Sequence, residues 1–133
     1  MQTIKETEYD VQISEATKLL LQAQVQEERQ VIIHGSFKAA DEDTCIRIWK
    51  TTYLIPQETP QQKSSLLLVD NITLHPQWTY VYCNETIYFT LIFEGLPKNC
   101  KAFDFVELIP EPGGFYIANI QRNATDVYYI KIA

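Results

Sequence analysis

The sequence predicts an all-β fold, an Ig-like antiparallel β-sandwich of about nine strands, in one domain spanning residues 1–133. Three observations predict it. The chain carries 8 Tyr, 6 Phe and 2 Trp in 133 residues, and aromatic and β-branched side chains suit a pleated sheet. Ile87, Phe89, Leu91 and Phe93 alternate with smaller or polar neighbours, which puts one apolar stripe on one strand face. Proline, glycine and asparagine clusters then punctuate the chain at the short intervals of a sandwich or barrel.

Thr7, Tyr9, Val11 and Ile13 alternate with Glu6, Glu8, Asp10 and Gln12, giving a half-buried strand. Residues 15–30 are rich in helix formers, yet Leu19, Leu21, Ala23 and Val25 alternate with Leu20, Gln22, Gln24 and Gln26. A helical stripe from Leu21 would need apolar residues near 24, 25 and 28, and meets Gln24, Val25 and Glu28. A strand is therefore expected, with Glu27-Glu28 as the turn into residues 29–37, where Val31, Ile33, Gly35 and Phe37 share a face. Residues 38–43 are a polar loop. Residues 44–55 form a long strand, with Ile46 and Ile48 opposed by Arg47 and Trp49.

The Gln-rich residues 56–65 form a linker too short to separate domains. Residues 66–69 are a short buried strand, Asp70-Asn71 a turn, and residues 72–74 lead to His75-Pro76. Residues 78–83 are the expected hairpin partner of residues 87–93. Gly95-Leu96-Pro97 ends that strand, because proline brings no N–H to a ladder. Phe103 and Phe105 open another stripe in residues 103–109. Residues 115–120 follow the turn P-E-P-G-G, and residues 127–132 close the fold. The strands at 78–83, 87–93 and 103–109 are expected together in a central sheet. The expected core is Val11, Leu21, Val31, Ile33, Ile46, Ile48, Leu68, Phe89, Leu91, Phe93, Phe103, Phe105, Phe115 and Ile117.

The net charge is −6, with no Lys/Arg cluster, which argues against nucleic acid and anionic membranes as partners. The longest apolar runs, 19–21 and 66–69, are far too short to span a bilayer. The N-terminus lacks a basic start followed by an apolar run, so no signal peptide is read. A cytoplasmic protein is expected if Met1 is the natural start, and an exported one if a leader was removed. Cys45, Cys83 and Cys100 are odd in number and show no C-x-x-C spacing. They are expected as free thiols in a reducing compartment, not as a zinc site or disulfide framework. No glycine-rich phosphate loop and no G-x-S-x-G elbow occurs, so no cofactor is expected.

The segments I-R-I-W-K-T-T-Y-L-I (46–55), T-L-I-F-E-G-L-P (90–97), F-D-F-V-E (103–107) and G-F-Y-I-A-N-I (114–120) resemble, in that order, a family of small bacterial β-sandwich modules of unknown function. The resemblance covers roughly residues 4 to 120 on core-strand words. Such modules stand alone or precede thioredoxin-like domains; this chain has no thioredoxin-like C-terminal half and adds the Gln-rich linker. The resemblance implies the fold and transfers no catalytic residue.

Asp104 and Glu107 lie inside apolar strand words. Three apart on a strand they point to opposite faces, a poor acid/base pair, and both are expected to accept backbone N–H bonds. His34 and Cys45 would make a nucleophilic dyad only in contact and with an orienting third group. Asp41-Glu42-Asp43 lacks the alternating ligands and glycine of a calcium loop. Three sequons, at Asn71, Asn84 and Asn123, read as turn asparagines followed by a strand-opening threonine. Trp49, Trp78, Tyr80, Tyr82 and Tyr88 are either a second buried face or an exposed platform able to stack on sugars or anchor a protein. With Asp104 and Glu107 they are the candidate binding residues; no catalytic or metal residue is assigned. The leading expectation is a non-catalytic interaction or structural module with a protein partner or a second copy, the strand at 127–132 being paired within the sheet or with that copy. The alternative is a carbohydrate- or small-ligand-binding sandwich, which requires exposed aromatics in one concave patch.

Overall fold

The computed structural model describes residue 14 and residues 29–132. The two strands expected before residue 29, the turn at Glu27-Glu28 and the core positions Val11 and Leu21 lie outside the described residues. The chain is all-β. Nine strands are described: β1 (Val31–Lys38), β2 (Thr44–Ile46), β3 (Thr52–Pro56), β4 (Ser64–Asp70), β5 (Thr79–Val81), β6 (Thr86–Phe93), β7 (Ala102–Glu107), β8 (Tyr116–Gln121) and β9 (Val127–Lys131). A 3-10 turn at Pro60–Gln62 interrupts the Gln-rich linker.

Seven strands form one sheet in the order β8-β7-β3-β4-β6-β1-β9, and β2 pairs with β5 in a second. The large sheet is mixed. All its neighbours are antiparallel except β1 and β9, which run parallel, against the expectation of a purely antiparallel fold. The cause is the turn before β9. The Asp126 carbonyl accepts the Ile32 N–H at 2.9 Å, which delivers Val127 beside Ile32 heading the same way.

The large sheet curls over its own core. In a flat sheet β7 and β9, five strands apart, would be separated by about 24 Å. Instead Phe103 of β7 meets Tyr128 of β9 edge-on, ring centroids 5.1 Å apart, and Phe93 of β6 meets Phe105 of β7 at 6.1 Å. The corner is β4. Its first residues, Ser64 and Ser65, pair with β3, while Leu66 to Asp70 pair with β6. A register shift between Leu66 and Leu68 bends the strand there, as bulges do. Glu94 holds the corner: its carboxylate accepts the Ser65 N–H at 3.1 Å and its N–H donates to the Ser65 carbonyl at 3.0 Å.

Of the expected core, Val31, Ile33, Ile46, Ile48, Phe89, Leu91, Phe93, Phe103 and Phe105 are buried. Leu68, Phe115 and Ile117 are only half-buried. The bulge turns Leu68 to the outer face beside Ile92 and leaves Leu66 inside opposite Phe93. On β1, Gly35 makes room for the Phe89 ring: a Cβ there would stand 2.5 Å from Phe89 Cε1.

Two strand expectations are corrected. The single strand at 44–55 is two, β2 in the small sheet and β3 in the large one. The chain changes sheets around Trp49, whose carbonyl accepts the Thr52 hydroxyl at 2.6 Å. Strand β5 is not the hairpin partner of β6. The turn between them is held by the connection after β1: Asn84 N–H donates to Ala39 O at 2.8 Å, Ala39 N–H to Glu85 O at 3.0 Å, and Cys83 N–H to the Asp43 carboxylate at 2.8 Å. These bonds draw β5 onto β2 and leave β6 to pair with β1 and β4. Strands β6 and β7 share the large sheet but are not neighbours in it.

Candidate functional site

The strand register fixes which side chains share the outer face of β4, β6, β1 and β9. Asp70, Thr90, His34 and Tyr129 form one row across the four strands. Tyr88, Ser36 and Lys131 form the next row. On the far side of the first row lie Leu68, Ile92, Ile32 and Val127.

Over the first two rows runs a groove of about 1210 Å³. Its floor comes from β1 and β6, with Tyr129 and Ile130 at one side and Thr79 and Tyr80 of β5 at another; Ser14 also lines it. Three tyrosines along it are largely exposed: Tyr80 at 70%, Tyr88 at 68% and Tyr129 at 62%. From strand spacing and rise, the backbone positions of Tyr88 and Tyr129 are about 12 Å apart, and outer-face side chains stand roughly perpendicular to the sheet.

The polar groups of the groove are held in place. His34 Nδ1 and Thr90 Oγ1 are hydrogen-bonded at 2.8 Å, and the His34 ring lies 5.1 Å from that of Tyr129. Burial lowers the His34 pKa below the ordinary imidazole value. Asn71, at φ 63, donates from Nδ2 to the Tyr88 carbonyl at 2.6 Å, fixing the β4 turn against β6. Glu85 accepts the Tyr82 N–H at 2.8 Å. Asp70 and Glu85 bring carboxylates to the lining, and among the described lining residues there is no Lys or Arg.

The tryptophans gather elsewhere. Trp49 stacks on His75 with centroids 3.7 Å apart. The Arg47 guanidinium sits 3.7 Å from the Trp78 ring centroid and 5.8 Å from that of Trp49. Cation and rings satisfy one another in this stack. Tyr82 is exposed but does not line the groove. Of the five candidate aromatics, the structure therefore brings Tyr80 and Tyr88 together and places Trp49 and Trp78 in a separate cluster.

The two candidate acids part company. Glu107 is buried and accepts the N–H groups of Trp49 at 2.8 Å and Phe115 at 3.1 Å. Burial pushes its pKa up, and these two bonds pull the other way. Asp104 accepts the Asn119 N–H at 2.8 Å and an amide hydrogen of Gln57 at 3.2 Å. Asn119 has φ 58 and lies at the register shift where β8 carries an extra residue against β7, so Asp104 braces a bulge.

His34 lines the groove and Cys45 does not; Cys45 faces Tyr80 across the small sheet. Asp43 holds the Cys83 N–H. Among the described residues, no group of three or more His, Cys, Asp or Glu is placed to hold a metal ion, and no helix is long and apolar enough to cross a membrane. The sequon asparagines occupy turns: Asn71 and Asn84 have φ 63 and 65, and Asn123 Nδ2 donates to the Val127 carbonyl at 2.9 Å.

Tyr129, Asp70, Glu85 and Thr90 escape sequence reasoning. The available signal is period two. Once Tyr128 faces the core, Tyr129 must face out, but adjacent tyrosines leave the phase of that strand open. Comparison with protein-family models, with curated proteins and with solved structures finds no match to this chain.

Proposed function

We propose that this chain is a non-catalytic β-sandwich binding module, and that its ligand seat is the tyrosine-walled groove over β1 and β6. The observation that carries this reading is the exposure of Tyr80, Tyr88 and Tyr129 around one concave surface. Large exposed aromatics on a soluble surface mark interaction sites, and pockets with a few fixed polar groups are the usual seats of small ligands. The non-catalytic part rests on the other candidates. Glu107 and Asp104 are engaged by backbone N–H groups, and His34 is bonded to Thr90.

The test is a screen of a mixed library of small molecules, short peptides and sugars, followed by amide chemical shifts of the labelled protein. Hits are expected to move His34, Tyr80, Tyr88 and Thr90. Hits that move only the Arg47, Trp49 and Trp78 cluster, or no region consistently, overturn the assignment.

A further inference from the structure

We infer that the groove binds a neutral, extended carbohydrate chain; this rests on the groove being the ligand seat. Three properties of the lining select that class. The first is charge. Asp70 and Glu85 line the groove, and among the described lining residues there is no Lys or Arg, on a chain of net charge −6. An anionic ligand such as a nucleotide, a sulfated glycan or a uronic-acid polymer would meet like charge at Asp70 and Glu85. Burial lowers the His34 pKa, which disfavours its charged form.

The second property is ring spacing. Tyr88 and Tyr129 sit two strands and one row apart, about 12 Å by sheet geometry, with Tyr80 on another wall. Rings spaced along a groove suit a ligand with several apolar faces in succession. A sugar chain offers one C–H face per ring, whereas a point cation offers a single centre.

The third property is the polar set between the rings. Asp70 and Glu85 are acceptors, and the exposed Asn71 amide offers both donor and acceptor atoms. Sugar hydroxyls need such a mixture, since each donates and accepts. The row Asp70, Thr90, His34 and Tyr129 lies on neighbouring strands of one sheet, so these groups are set by the backbone before a ligand arrives.

The experiment is affinity electrophoresis of the full chain in gels containing neutral polysaccharides (β-glucan, xylan, glucomannan and α-glucan). Parallel gels contain polygalacturonate or dextran sulfate, and tetramethylammonium binding is followed by calorimetry. At least one neutral polymer is expected to retard the protein. Tyr88→Ala should weaken that retardation by about ten-fold, and so should Tyr80→Ala; both residues are exposed, and circular dichroism checks that each variant stays folded. Retardation that survives both substitutions overturns the inference, as does equal retardation by the acidic polymers, or tetramethylammonium binding in the groove without any neutral polymer. If library compounds shift the groove residues while every neutral polymer leaves the protein free, the carbohydrate assignment fails and the groove remains the ligand seat.

Discussion

Asp126→Asn tests how the turn between β8 and β9 is held. Asp126 is fully buried and sits at φ 57, a conformation Asn tolerates as readily as Asp. The substitution therefore keeps the backbone and shape but removes the charge and turns one acceptor oxygen into a donor. One carboxylate oxygen accepts Arg122 Nε at 3.1 Å and the Tyr128 hydroxyl at 2.9 Å; the other accepts Arg122 Nη2 at 3.0 Å. Arg122 also donates to the carbonyls of Pro97 and Cys100, so the network ties this turn to the connection between β6 and β7. With an amide at 126, the guanidinium is left without its counter-charge. Breaking a buried pair from one side costs about 3–5 kcal/mol. The Arg122 side chain is 17% exposed, so water relieves part of this and the low end, about 3 kcal/mol, applies. With a urea m-value of about 1.5 kcal/mol/M, the denaturation midpoint should fall by about 2 M. A fall under about 0.5 M with unchanged m would place the pair among weak surface ion pairs and refute the argument.

Gly35→Ala should destabilise by about 1–3 kcal/mol by overpacking against Phe89, and the cost should shrink in a Phe89→Leu background; equal costs in both backgrounds would show that the ring is not the obstacle. Burial raises the Tyr128 pKa from 10.0 to about 12. A group raised on folding stabilises fully below its unfolded pKa, so up to about 2–3 kcal/mol should be lost as pH rises from about 10 to 12. Urea titrations across that range should show this loss, and Tyr128→Phe should show less of it. Asp104→Ala should cost about 1 kcal/mol and speed hydrogen exchange at the Asn119 amide; an unchanged Asn119 rate would mean the carboxylate does not brace the bulge.

The all-β class and the stripes of β1, β6 and β7 are legible because alternation depends only on the chain's own period. Val31, Ile33, Phe89, Leu91, Phe93, Phe103 and Phe105 lie inside as that period requires. The break between β2 and β3 is not legible. Ile46, Ile48, Thr52, Leu54 and Pro56 are all buried and Lys50 alone interrupts the even-numbered phase, so the pattern resumes in the same phase beyond the change of sheet. The partner of β5 is set by Ala39 and Asp43, some forty residues upstream, and nothing local to residues 78–83 encodes it. The same holds for the site. Tyr80 and Tyr88 stand out in the sequence as outward aromatics, but their meeting with Tyr129 follows from the parallel pairing of β9 with β1. Trp49 and Trp78 stand out as strongly, yet Arg47 and His75 engage their faces. A list of aromatic residues cannot separate the two groups without the register.

The most direct test is a crystal structure of the protein with the neutral oligosaccharide that it binds best. Sugar rings should lie over Tyr80, Tyr88 and Tyr129, with hydroxyls on Asp70 and Asn71. Sugar bound only at the Trp78 and Arg47 stack, with the groove empty, would contradict the account.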